Sequence, residues 1–182
     1  MPNRFAETGK LSMGVRDDIN SLRAEIARSI SVLEKIERYF IAFQQNRLSA
    51  EPDTDAAMVI AQSLTNYYTC IETLFLRISQ FFENGLDQGR WHQSLLNKMV
   101  LEIPQTRPRV ISDATHMVLG EFLKFRHFTR YYFEFDYDWD KLRYLIKKFN
   151  DIHDVLKNEI AAFDRYLAAL AKEEDGLGSH NH

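Results

Sequence analysis

From Ile19 onward, apolar side chains recur at every third or fourth position: Leu22, Ile26, Ile30, Leu33, Ile36 or Phe40, and Phe43. That spacing places them on one face of a helix about seven turns long. The pattern returns at Met58, Ala61, Leu64, Tyr68, Ile71, Phe75, Ile78 and Phe82, and again at Leu142, Leu145, Phe149, Ile152, Leu156, Ile160, Phe163 and Leu167. Helices that each carry one apolar stripe cover it by packing on one another. Only seven glycines and four prolines interrupt the 182 residues, well under the average share of roughly 12%. A turn-dense β fold or a low-complexity chain is therefore excluded, and the spacing predicts an all-α antiparallel bundle of four to five helices.

The breaks fall where helix ends are expected. Residues 1–11 show no periodicity and read as a loose leader; 12–172 form the bundle. Polar residues and Pro52 end the first stripe, and Asp53 to Asp55 suit the start of a second helix, which runs to Gly85. A short helix follows from Trp91 to about Val100, and Pro104 and Pro108 hold an extended connection. Ser112-Asp113 caps a fourth helix carried to about Phe133, and Asp138 caps a fifth from Asp140 to about Lys172. Residues 173–182, with His180 and His182, read as a disordered tail.

Composition narrows the functional classes. No apolar run approaches the roughly 20 residues of a membrane helix, and the N-terminus lacks the apolar stretch of a signal peptide. A lone cysteine, Cys70, excludes a disulfide framework and fits a reducing cytoplasm. With a formal charge of −3 there is no global basic field, so contact with nucleic acid depends on a local patch. Nine of the 23 aromatic residues fall between Phe122 and Trp139.

That aromatic segment is interrupted by charge. Advancing about 100° per residue from Phe122, Val118, Leu119, Phe125, Tyr132 and Phe133 make a broad apolar stripe, and Arg126 and Arg130 fall inside it. The second helix holds one acid between Asp55 and Glu83, namely Glu72. A guanidinium among apolar groups requires pairing, so Glu72, Arg126 and Arg130 are expected to cluster. The cluster serves either as a buried ion pair that sets helix register or as an anion site in which Glu72 orients the two arginines.

The run from Phe125 to Trp139, beginning Phe-Arg-His and carrying a second arginine before an acidic-aromatic exit, resembles the signature helix of HepT-like HEPN-domain proteins. Leu64 to Ile78, Trp91 to Met99, and Ile103 to Ser112 are similar to the same family, so the likeness spans roughly residues 19–170. The resemblance implies a homodimeric, metal-independent RNA endonuclease of a toxin–antitoxin pair, with no cofactor, partnered by a minimal (MNT-type) nucleotidyltransferase antitoxin. Its motif is an arginine, four to six residues, then a histidine, with a tyrosine two positions later. Arg126 matches the arginine. Tyr131 stands at the histidine position and Phe133 at the tyrosine position.

A phenol is a weak general base at neutral pH. The implied catalytic set is therefore Arg126 and Tyr131 with the neighbouring His127, and Arg130 and Glu72 form the implied substrate-binding set. Tyr131 or Tyr132 is the expected acceptor of AMP from the partner. The alternative reading is a non-catalytic HEPN dimer that binds RNA or the nucleotidyltransferase.

Other constellations read as structural. No histidine has a local metal-ligand spacing apart from the weak pair His180 and His182, so no metal site is expected. His153, beside Asp151 and Asp154, is expected on a solvated face, His92 to cap or pack, and Cys70 to be an inert thiol. Lys141, Arg143, Lys147, Lys148 and Lys157 read as a solvated face of the last helix. Such a face can alternatively guide RNA phosphates, with Tyr137 and Trp139 available for stacking.

Overall fold

A computed structural model describes residues 13–47, 53–83, 91–132, 134 and 136–178. They form five helices: α1 Met13–Arg47, α2 Thr54–Glu83, α3 Trp91–Met99, α4 Asp113–Tyr131 and α5 Trp139–Gly178. Side-chain pairs set the helix directions. Arg23 meets Asp164 and Glu37 meets His153, so α1 and α5 run antiparallel. Glu25 meets Arg77, and Ser29 meets Cys70, so α1 and α2 are antiparallel as well. Thr65 opposes Thr129, and Thr69 opposes Arg126, which runs α4 against α2. Up-and-down packing follows, with α2 touching each of the other four helices.

The three sequence stripes supply most of the core, except that Met58 of the α2 stripe is exposed while Ile60 and Tyr67, outside that stripe, are buried. Ile19, Leu33, Phe40, Ile60, Ile71, Leu145, Leu156 and Ile160 are fully buried, each worth roughly 1.5–3 kcal/mol relative to exposure. Tyr67 sits at the centre, its ring 4.7 Å from Phe149 and 5.9 Å from Phe122. Fourteen of the residues on α2 are buried, which explains why its apolar run is broader than a single stripe.

Helix starts follow local chemistry. Asp53 Oδ1 accepts from the Ala56 amide, Ser112 Oγ from the Thr115 amide, and Asp138 Oδ1 from the Asp140 amide. The α3–α4 connection turns at Ile103–Thr106, where the Thr106 amide bonds to the Ile103 carbonyl and Gln105 takes φ 61°. Pro at the second position and a positive φ at the third are the demands of a type II turn.

Two helix ends differ from the sequence expectation. α4 stops at Tyr131, because Tyr132 turns to extended backbone and its hydroxyl donates to the Asp136 carbonyl at 2.7 Å. Tyr132 is therefore half-buried at the helix end instead of continuing the apolar stripe. α5 continues to Gly178, so the segment expected as a disordered tail from residue 173 is helical through 178. The helix-favouring composition around Lys172-Glu-Glu carries the backbone on, through Gly176, as far as Gly178. The leader, Gly85, Phe133, His180 and His182 lie outside the described residues.

Candidate functional site

The α2–α4 contact carries the charge cluster. Glu72 is buried, its carboxylate clamped from two sides: Arg126 Nη2 lies 3.1 Å from Oε2, and His92 Nδ1 lies 2.6 Å from Oε1. Two charge-capable donors offset the desolvation of a buried carboxylate. Burial and the charge of Glu72 keep the Tyr68 hydroxyl protonated beside the pair. Arg126 also donates from Nε to Thr69 Oγ1 at 3.3 Å. Its Nη1 is buried without a hydrogen-bond partner among the described residues.

His92 is the residue that sequence reasoning missed. It reaches Glu72 from α3, and its ring meets the His127 ring edge-on at 5.4 Å. The usable signal was mutual: a lone acid in an apolar helix and a histidine opening the next one. His127 itself is exposed on α4. Desolvation first, then the charges of His92 and Arg126, lower its pKa from the ordinary histidine value. It is therefore mainly neutral at pH 7 and able to accept a proton.

Arg130 departs from the expectation. It is exposed, its guanidinium 5.8 Å from the Tyr131 ring, and Glu72 orients Arg126 alone. One turn separates the two arginines, and although neighbouring Thr129 still meets Thr65 of α2, Arg130 projects to the surface. Both arginines nevertheless line one cleft of about 680 Å³, together with Thr65, Thr69, Thr129 and Tyr137. Met58, Val59 and Ala61 give much of the cleft an apolar wall, and the three threonine hydroxyls and two guanidinium groups set into it are donors suited to phosphate oxygens.

Tyr131 is 69% exposed at the last turn of α4. Tyr132 is less available, since its hydroxyl is engaged with Asp136 and its ring stacks on Phe128 at 4.5 Å. The tyrosine position of the motif, Phe133, lies outside the described residues.

Elsewhere, the expected solvated His153 is instead buried, facing Glu37 at 2.9 Å. Counting about 100° per residue from Phe149 puts it near 40°, between Ile160 and Ile146 and so on the apolar face. Cys70 packs beside Ser29, and burial raises its thiol pKa, as an inert thiol requires. On α5, Arg143 pairs with Asp140 and Lys141 with Glu121. Among the described residues no helix is long and apolar enough to cross a membrane.

The all-α bundle of five helices is consistent with a HEPN-type domain. A model of the HepT-like protein family matches residues 59–167, which contain α3, α4, most of α2 and the whole cluster. The chain belongs to the HepT-like family of HEPN proteins. No curated protein and no solved structure matches it significantly.

Proposed function

We propose that this chain is the HepT-type component of a toxin–antitoxin pair, a cytoplasmic homodimer that cleaves RNA at the cleft of Arg126 and Arg130. The observation that supports this most directly is the Glu72 clamp. It fixes Arg126 at the edge of the cleft of about 680 Å³ that Arg130 also lines, so two guanidinium groups border one cavity. In such a reaction the RNA 2′-hydroxyl loses its proton and attacks the adjacent phosphorus, and the 5′-oxygen of the next nucleotide leaves and takes up a proton. The ribose phosphate is left as a cyclic diester. His127, neutral at pH 7 and beside Arg126, is the group suited to take the first proton. Arg126 and Arg130 supply the charge that stabilises the pentacoordinate phosphorane. Neither step requires a metal. The partner is a nucleotidyltransferase antitoxin, and exposed Tyr131 is the hydroxyl best placed to receive AMP.

A second reading is favoured by Tyr131 itself. An exposed phenol next to Arg130 offers stacking and charge to a single-stranded base without a second imidazole for catalysis. In that reading the protein binds RNA or the nucleotidyltransferase and does not cleave.

Incubating the full chain with tRNA and mRNA in EDTA tests both. Cleavage that falls about a hundredfold or more in Arg130→Ala and Arg126→Ala supports the nuclease; Arg130→Ala keeps the Glu72 clamp and so separates chemistry from folding. If Tyr131 occupies the motif histidine position, Tyr131→His increases the rate. Salt-sensitive RNA binding or co-purification with a nucleotidyltransferase, without cleavage, supports the second reading. Absence of cleavage, binding and co-purification overturns both.

A further inference from the structure

We propose that Glu37, His153 and Asp154 form a zinc site that bridges α1 and α5. One ligand atom from each residue lies within 4.8 Å of the others. Tetrahedral zinc, with ligands at roughly 2.1 Å, holds neighbouring donors about 3.4 Å apart. The site therefore closes by a small movement of Asp154, whose side chain is 83% exposed.

His153 is the second and independent observation. It is 2% exposed and lines a cleft of about 390 Å³ with Glu37, Gln44 and Asn150. Nε2 lies 2.9 Å from Glu37 Oε2, yet neither ring nitrogen makes an aligned hydrogen bond among the described residues. A buried polar ring without aligned partners is costly and uncommon. Its orientation is fixed all the same, because Phe149 stacks at 5.6 Å and Tyr67 packs at 5.7 Å. A preoriented imidazole facing two carboxylates is a donor set for a borderline cation.

Charge balance agrees. Glu37, Asp154 and nearby Glu34 surround Lys157, whose ammonium lies 3.9, 3.3 and 4.0 Å from them. The contacts to Glu37 and Glu34 are long, that to Asp154 is closer, and Lys157 is half-buried on a flexible stem. Its ammonium holds the cationic position in the metal-free chain and swings to Glu34 when zinc enters. Three protein ligands leave a fourth position open to water from the cleft. Such a site ties α1, which lies outside the matched family segment, to α5. The proposal stands apart from the RNA reading.

Zinc titration calorimetry on the metal-free full chain, beside Glu37→Gln, Asp154→Asn and Lys157→Met, tests the site. All four proteins retain His180 and His182, so zinc held by those histidines is common to them. The wild type shows one further equivalent, weakened about tenfold or more in the two carboxamide variants and tightened in Lys157→Met. Circular dichroism checks that each variant is folded, and the two-bond 1H–15N spectrum of the His153 ring shifts on zinc addition. Identical titrations for the wild type and both carboxamide variants, or an unmoved His153 ring signal, overturn the proposal.

Discussion

Glu72 on α2 and Arg126 on α4 meet at 3.1 Å, with His92 of α3 closing the other side of the carboxylate at 2.6 Å. Three helices are thereby joined through one buried acid. Truncating Glu72 to Ala strands a mostly buried guanidinium and is expected to cost about 3–5 kcal/mol. In the cycle Glu72→Gln, Arg126→Gln and the double variant, urea unfolding should give a coupling energy of about 1–3 kcal/mol. Strict additivity would show that the two groups do not interact.

Burial of His153 makes stability depend on pH. Its folded pKa lies below the unfolded value of about 6.5. The unfolded chain therefore binds the proton first as pH falls. Full stability is present above about pH 6.5 and declines as pH drops toward the folded pKa, by at most about 1.4 kcal/mol per pH unit for this group. In EDTA, urea midpoints between pH 7.5 and 5.5 should fall more steeply for the wild type than for His153→Gln. Equal slopes would remove His153 as the cause.

Arg107 is a structural cation with no exposed side-chain surface. Its guanidinium pairs with Glu83 and donates to the carbonyls of Leu101, Lys98 and Pro108, pinning the turn between α3 and α4 to the end of α2. Arg107→Ala should destabilise by about 3–5 kcal/mol. Arg107→Lys should recover little of this, because an ammonium cannot reproduce a planar fork. Full recovery in the lysine variant would contradict the geometry.

Gly120 lies within α4, and a Cβ there would meet nothing within 4 Å. Gly120→Ala should stabilise the protein by about 0.5–1 kcal/mol, since alanine loses less backbone entropy in a helix. A fall in melting temperature would mean that the space is occupied in solution, for example by a second copy.

Much of the bundle could be read directly. Asp53, Ser112 and Asp138 marked helix starts because capping is a local hydrogen bond, and the stripes of α1, α2 and α5 named the core because period and burial are linked. Helix ends were harder. Tyr132 terminates α4 through a bond to Asp136 that no periodicity encodes, and α5 overran its expected end because no proline or cap stops it there and it passes through Gly176. His153 was misread from its acidic neighbours along the chain, although its place relative to Phe149 already put it on the apolar face.

The sequence by itself determined the class of fold, the family, and the pairing of a lone acid with Arg126, because an isolated charge in an apolar stripe must find a partner. Only the tertiary structure decided which groups share a site. His92 of α3 joined Glu72 of α2, Arg130 was left at the surface, and Glu37 was brought to His153 from the other end of the chain. Such contacts depend on how far one helix rises past another, a quantity fixed by the packing of whole side-chain layers and carried by no single stretch of residues.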